Sequence, residues 1–372
     1  MKISRIAQLG AVAAVAALTL AGCAANEGTT GGDASEAPES MLAGEIAGGG
    51  ASSQEVAVNA WVAGFQTANP DVTITYDPAG SGAGRESFQA GAFPFAGSDR
   101  AFEVEEIEAG PFDGCVEGTG IIELPTYISP IAVIFHIEGV DALNLSPEVI
   151  AGLFAGTITN WNDPAIAALN EGVELPDLAV TPVHRADDSG TTENFTDYLF
   201  QAAGDVWTYE PDGVWPGTPV AGEAAQGTSG VVSAVAGGNG TIGYADASRA
   251  AEEGLATAAV QVGDEFVEYS PEAAAAIVDA SPFAEGREEG DLAIELDRTS
   301  TEAGVYPIVL VSYMIACQEY VDTEAAPIVK GFLEYLASAE GQDAAAAAAG
   351  NAPISDTLRD QVNAAIELIV AE

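Results

Sequence analysis

The chain is 372 residues long and 48% hydrophobic, and its 57 carboxylates against 10 lysines and arginines give a formal net charge of −47. A balance that acidic excludes nucleic-acid binding, because a phosphate backbone is held by clustered cations. The carboxylates describe a solvated, self-repelling surface and say nothing about a ligand.

At the start, Lys2 and Arg5 precede an apolar stretch from Leu9 to Leu20, followed by Leu20-Ala21-Gly22-Cys23. The pattern predicts an exported signal peptide over 1–22. Leu-Ala-Gly-Cys is similar to a lipobox, in which the Cys23 sulfur takes a diacylglycerol; the alternative is a plain signal peptide followed by an incidental cysteine. Losing residues 1–22 removes Lys2 and Arg5 but no carboxylate, so Lys330 and seven arginines remain and each is informative about where charge is needed. Residues 23–42, rich in Gly, Thr, Asp, Ser and Pro, have the composition of a flexible tether.

About 330 residues follow, enough for two domains. Val58, Trp61, Val62 and Phe65 fall at helical spacing, whereas Val72, Ile74 and Tyr76 alternate as a strand. Strands alternating with helices imply α/β layers with mainly parallel sheets. The apolar runs from Ile128 to Val140 and from Val305 to Cys317 are broken by Pro, His or Ser, and read as buried strands rather than membrane spans of roughly 18 residues. Ala337 to Ala349, ended by Gly350-Asn351-Ala352-Pro353, reads as a packing helix with a stop signal.

Four polar, glycine-bearing segments mark ends of strand patterns. They are Gly48-Gly49-Gly50-Ala51-Ser52-Ser53, Gly80-Ser81-Gly82-Ala83-Gly84, Ala96-Gly97-Ser98-Asp99 and Arg185-Ala186-Asp187-Asp188-Ser189-Gly190-Thr191. A helix N-terminus presents unpaired N–H groups and a partial positive charge, and Ser or Thr adds an O–H donor, so together such segments suit a small oxyanion. The plainer reading of each alone is a helix cap; Ser52 with Glu55 fits a capping box. Enzyme motifs fail on the same residues. Arg85 follows Gly84 without the P-loop spacing, Ser53 stands where a dinucleotide fingerprint needs glycine, and no serine sits in a nucleophile elbow. His136 and His184 have no metal spacing, and His184 beside Arg185 reads as a packed or surface histidine. No catalytic residue, cofactor or metal is expected. Cys115 and Cys317 make no metal motif; outside the cytoplasm a disulfide is favoured over two separate buried thiols.

On these segments, together with Phe95-Ala96-Gly97-Ser98-Asp99, Trp161-Asn162-Asp163-Pro164-Ala165-Ile166, Leu169-Asn170 and Gly240 to Tyr244, the whole mature chain resembles the PstS family, the phosphate-binding components of ABC phosphate importers. The resemblance implies an α/β, two-lobed type II periplasmic-binding-protein fold: two α/β domains joined by two crossover strands and closing on one dehydrated phosphate. Leu124-Pro125-Thr126-Tyr127 and Tyr306-Pro307-Ile308-Val309 would be the crossovers, 43–127 plus 306–372 lobe I, and 128–305 lobe II, with Cys115 and Cys317 both in lobe I. It implies Ser52 and Ser81 as hydroxyl donors, Ser53 as a backbone N–H donor, and Asp99 as acceptor of a phosphate proton. From the other lobe it implies Arg185 as the charged donor, reaching Asp99 as well, with Ser189, Gly190 and Thr191 adding hydroxyl and N–H groups. Ser53 departs from the family's usual Phe, and Asp188 from its common Gly, which sets an extra carboxylate beside the proposed site. The partners implied are inorganic phosphate, the importer's permease subunits, and the outer face of the cell membrane through a lipid anchor only; a monomer is expected. Two other functions keep some of these residues: a signalling or adhesive lipoprotein without a permease, and a phosphate-ester hydrolase.

Overall fold

The computed structural model describes residues 42–217 and 222–371. The expected signal peptide, Cys23 and all but the last residue of the tether lie outside the described residues.

Strands and helices alternate through most of the chain. β1 (Gly44–Gly50), α1 (Glu55–Ala68), β2 (Val72–Asp77), α2 (Ser81–Gln89), β3 (Phe95–Ser98) and α3 (Val104–Ala109) lead into the 16-residue β4 (Ile121–His136). The middle comprises β5 (Leu143–Leu145), α4 (Pro147–Phe154), α5 (Pro164–Ala167), β6 (Thr181–Arg185), α6 (Gly190–Ala203), β7 (Glu223–Ala225) and α7 (Gly227–Gly237). It continues through β8 (Thr241–Asp246), α8 (Ala247–Glu253), β9 (Ala256–Val262), β10 (Glu265–Val267) and α9 (Pro271–Ala280). The chain returns along β11 (Val309–Cys317) and ends in α10 (Ala325–Ala337), α11 (Ala339–Ala349) and α12 (Asp356–Ile366).

The strands form one sheet in the order β2-β1-β3-β11-β4-β8-β6-β7, with β9 joined to β4, β5 and β10. The pairing is mixed rather than mainly parallel. β1 runs parallel to β2 and β3, and β6 to β7 and β8, but β11 is antiparallel to β3 and β4, and β4 to β8 and β9. The cause is the long pair at the centre: β4 carries the chain from one half of the sheet to the other, and β11 carries it back. β4 pairs with β11 up to Pro130, then with β8 from Ile131. All but the last residue of β4 are buried, which is why it reads as a near-continuous apolar run.

Helices cover this sheet through apolar stripes at the expected spacing. In α1 these are Val58, Trp61 and Phe65, and the Trp61 indole N–H donates to the Gly341 carbonyl at 2.8 Å, tying α1 to α11. Cys115 and Cys317 are joined in a disulfide 202 residues apart in sequence, a closure that stabilises by roughly 2–5 kcal/mol. Two local expectations fail. The Ala-rich run is not one helix from Ala337: α10 ends there, and Ser338 turns the chain and caps α11 by accepting from the Gly341 N–H. The Ser52–Glu55 capping box does not form, since Gln54 stands at the start of α1 and Glu55 pairs instead with Arg249 at 2.6 Å.

Candidate ligand-binding site

Three helices, α1, α2 and α6, begin around one buried carboxylate, Asp99, which follows directly on β3, and a fourth, α7, begins against Ser52 and Asp187 beside them. Most helices of the chain are closed by a side chain, as Ser146, Asp163, Asp246, Ser270, Ser338 and Ser355 show by accepting from backbone N–H groups of their first turns. α1, α2 and α7 have no side-chain cap. In α7 the Gly227 and Thr228 N–H groups are taken by Asp187 and Ser52, and in α2 that of Gly82 by the Asp188 carbonyl, so the first N–H groups of α1 and that of Ser81 remain for a ligand, at the positive end of each helix dipole. α6 completes the set, with Ser189 accepting from the Thr192 N–H at 3.4 Å.

Close approach of the backbones requires glycine at two points. Gly50 has φ +137°, and a Cβ there would lie 1.9 Å from the Gly97 carbonyl oxygen; Gly190 at the start of α6 would put a Cβ 2.6 Å from that of Asp99. The second contact brings α6 directly against the end of β3.

The predicted residues come together. Ser53 Oγ donates to Asp99 Oδ1 at 2.6 Å, and Thr191 Oγ1 donates to Oδ2 at 2.9 Å. Ser81 Oγ accepts from the Asp99 N–H at 3.2 Å, which leaves its own proton to turn toward a ligand. Ser52 Oγ accepts from the Thr228 N–H at 3.2 Å and shares a 3.0 Å hydrogen bond with the Thr228 hydroxyl, so the start of α7 meets the start of α1. Ser52, Ser53, Ser81, Asp99, Arg185, Ser189 and Thr191 are all buried.

Arg185 ends β6, but its fork does not reach Asp99 as expected. Nε and Nη2 grip the two carboxylate oxygens of Asp187, Nε at 2.9 Å, and Asp187 also accepts from the Gly227 N–H at 3.0 Å. The arginine acts on Asp99 through its field. Burial pushes the Asp99 carboxyl above the usual carboxylate range; the hydroxyls of Ser53, Ser312 and Thr191, and then Arg185, oppose that rise.

Both departures from the family pattern acquire contacts. The Ser53 hydroxyl, absent from a phenylalanine, is a donor to Asp99. Asp188 turns its half-exposed side chain toward Arg85, 3.9 Å away, while its carbonyl accepts from the Gly82 N–H at 3.3 Å. The extra carboxylate is thus matched by a buried arginine whose Nη1 also donates to Ser98 Oγ at 2.9 Å. Nearby, Arg100 holds Glu193 of α6 at 2.9 Å; burial pushes Glu193 up to about 7 although Arg100 opposes it.

Three residues escaped the sequence reading. Ser312 of β11 donates to Asp99 Oδ1 at 2.9 Å; its signal was a single serine in a nine-residue buried strand. Thr228 follows a three-residue strand too short to show periodicity. Asp187 lay inside a recognised segment but was given no role. His184 stays out of the site, stacked on Trp215 at 4.8 Å between ring centres. Among the described residues no cluster of three or more His, Cys, Asp or Glu suits a metal ion, and no helix is long and apolar enough to cross a membrane.

Comparison with known proteins places this geometry in context. Residues 32–340 match the family model of a PBP superfamily domain. The chain is 32% identical to phosphate-binding protein PstS 3 of Mycobacterium tuberculosis over 99% of its own length and 100% of that protein, and 31% identical to PstS 2 of the same organism over the same shares. Among solved structures it resembles a high-affinity periplasmic phosphate-binding protein bound with phosphate, with TM-score 0.69 and 22% identity, over 86% of this chain and 93% of that one. It also resembles a putative phosphate ABC transporter substrate-binding protein of Clostridium perfringens with bound phosphate, with TM-score 0.59 and 21% identity, over 82% and 98%. These likenesses show the fold, a mixed α/β two-domain periplasmic-binding-protein architecture.

Proposed function

The chain belongs to the PstS family of phosphate-binding proteins, and on that footing we propose that it captures one inorganic phosphate ion outside the cytoplasm and delivers it to an ABC-type importer. It is a binding protein and not an enzyme. The observation that carries the choice of ligand is a buried carboxylate inside a ring of helix N-termini. Asp99 is useful in an anion site only if the anion brings a proton for it to accept, as phosphate does near neutral pH and sulfate does not. Around it, the N–H groups of Ser53, Ser81, Gly190 and Thr191, the hydroxyls of Ser52, Ser81 and Ser189, and the guanidinium of Arg185 supply the donors.

The lobes that close on the ion would be 43–127 plus 306–372 and 128–305, with β4 and β11 as the crossings between them. The partner would be the importer's permease, met by a monomer held at the outer face of the membrane through Cys23. A diacylglycerol supplies the two chains that stable anchoring requires. Cys23→Ser should move the protein out of the membrane fraction; wild-type retention would place the anchor elsewhere.

Calorimetry of the chain with phosphate, arsenate, sulfate and molybdate tests the ligand. Phosphate and arsenate should bind tightly and sulfate should not, while Asp99→Asn, which can donate as well as accept, should relieve the penalty on sulfate. Tight sulfate binding by the unmodified protein, or unaltered rejection by Asp99→Asn, would overturn this account.

A further inference from the structure

An ionised carboxylate offers about four acceptor directions, two on each oxygen. At Asp99 the protein's own hydroxyls take three of them. Ser53 at 2.6 Å and Ser312 at 2.9 Å both donate to Oδ1, and Thr191 at 2.9 Å donates to Oδ2. They come from the start of α1, the middle of β11 and the first turn of α6, so the carboxylate is fixed in orientation from three sides. The Asn194 side chain donates to the Asp99 carbonyl at 2.7 Å and holds the same residue's backbone.

We propose that Ser53 and Ser312 are positioning residues that set the protonation state of the ligand: they fill Oδ1 of Asp99, so that a single acceptor direction, on Oδ2 beside Thr191, remains for one ligand proton. The inference rests on the phosphate reading above and narrows it. The ion that fits is a tetrahedral oxyanion with one proton, hydrogen phosphate or hydrogen arsenate in the dianionic form. A doubly protonated monoanion brings a second O–H that Asp99 has no direction left to accept. Nor do the neighbouring carboxylates supply one, since Asp187 is held by Arg185 and Asp188 turns to Arg85.

The other charged and titratable groups on the elements packed around Asp99 are engaged elsewhere. Glu55 of α1 pairs with Arg249, the Tyr76 hydroxyl on β2 donates to the Ala51 carbonyl and the Tyr313 hydroxyl on β11 accepts from the Ile294 N–H, at 2.9 Å each, while Glu193 of α6, held by Arg100 but pushed up to about 7 by burial, takes up a proton in the same pH range and so opposes the expected fall in affinity. Burial raises the Asp99 carboxyl above its ordinary value, and the hydroxyls of Ser53, Ser312 and Thr191, then the field of Arg185 from the end of β6, oppose that rise.

The measurement is calorimetry of the full chain with inorganic phosphate across the pH range in which phosphate gains its second proton. Wild-type affinity should fall as the monoanion replaces the dianion. Ser53→Ala and Ser312→Ala should each open a direction on Oδ1 and recover about tenfold of the lost affinity, the scale of one hydrogen bond to a charged group, over the pH range in which Asp99 stays ionised, a range each variant narrows from the acid side by removing a donor that holds the carboxyl down. Ser53→Thr, which keeps the hydroxyl, should follow the wild-type profile. A flat wild-type profile overturns the proposal without any variant, and so do alanine variants that fall in parallel with the wild type. Because the two serines lie on different elements, loss of folding in one variant leaves the other to decide. No phosphate binding at any pH would instead overturn the function on which the proposal rests.

Discussion

Arg185 is one of the eight lysines and arginines that follow residue 22, and it is buried at the junction of β6 with the candidate site. Its planar fork is held on both oxygens of Asp187, a grip that fixes the guanidinium plane before any ligand arrives. Arg185→Ala should weaken phosphate by about 1.5–3 kcal/mol, the scale of a charged hydrogen bond, and Arg185→Lys should not restore it, because an ammonium cannot hold both oxygens of Asp187. Titration of both variants, with circular dichroism to confirm folding, checks this; unchanged affinity in Arg185→Ala would remove Arg185 from the site. Its neighbours in the candidate site were legible where a short polar residue sat next to or within two residues of glycine before or at the start of a helix, as with Ser52, Ser81 and Ser189. Ser312 and Thr228 were not, because their roles come from pairings 213 and 176 residues away in sequence.

At the scale of elements, periodicity located α1 and β2 because each buries one regular face. It misread the direction of the strands: an apolar run such as β4 or β11 looks alike whether its neighbours run with it or against it. The alanine run failed for a related reason. Alanine favours helix everywhere, so composition alone does not mark the break that the Ser338 hydroxyl makes by capping α11 while also donating to the Tyr335 carbonyl at 2.6 Å. Ser52 and Glu55 had the spacing of a capping box, but the N-terminus of α1 faces the site and Glu55 is drawn to Arg249. At the candidate site the rule is not uniform: α1 and α2 carry no side-chain cap, whereas α6 is capped by Ser189 and α7 is closed by Asp187 and Ser52.

Across the whole molecule the scarce cations gather at joints between elements. Arg85 meets Asp188, Arg100 meets Glu193, Arg249 meets Glu55, and Arg298 binds Asn194 together with the carbonyls of Pro307 and Val309. The outward surface is left mainly to carboxylates, and the partly exposed cations Arg249, Lys330 and Arg359 are each already paired, to Glu252, Glu367 and Asp356. A dianion approaching such a particle climbs a repulsive field before it meets the first donor, the reverse of electrostatic steering. The cost falls on the rate of arrival rather than on the strength of the final grip. Dissolved salt screens that field over about 10 Å at 0.1 M, so the association rate constant for phosphate should rise with ionic strength. Stopped-flow mixing monitored by tryptophan fluorescence, with sodium chloride as the varied salt, gives the slope, and a rate that falls on adding salt would mean that the remaining cations guide the ion in after all.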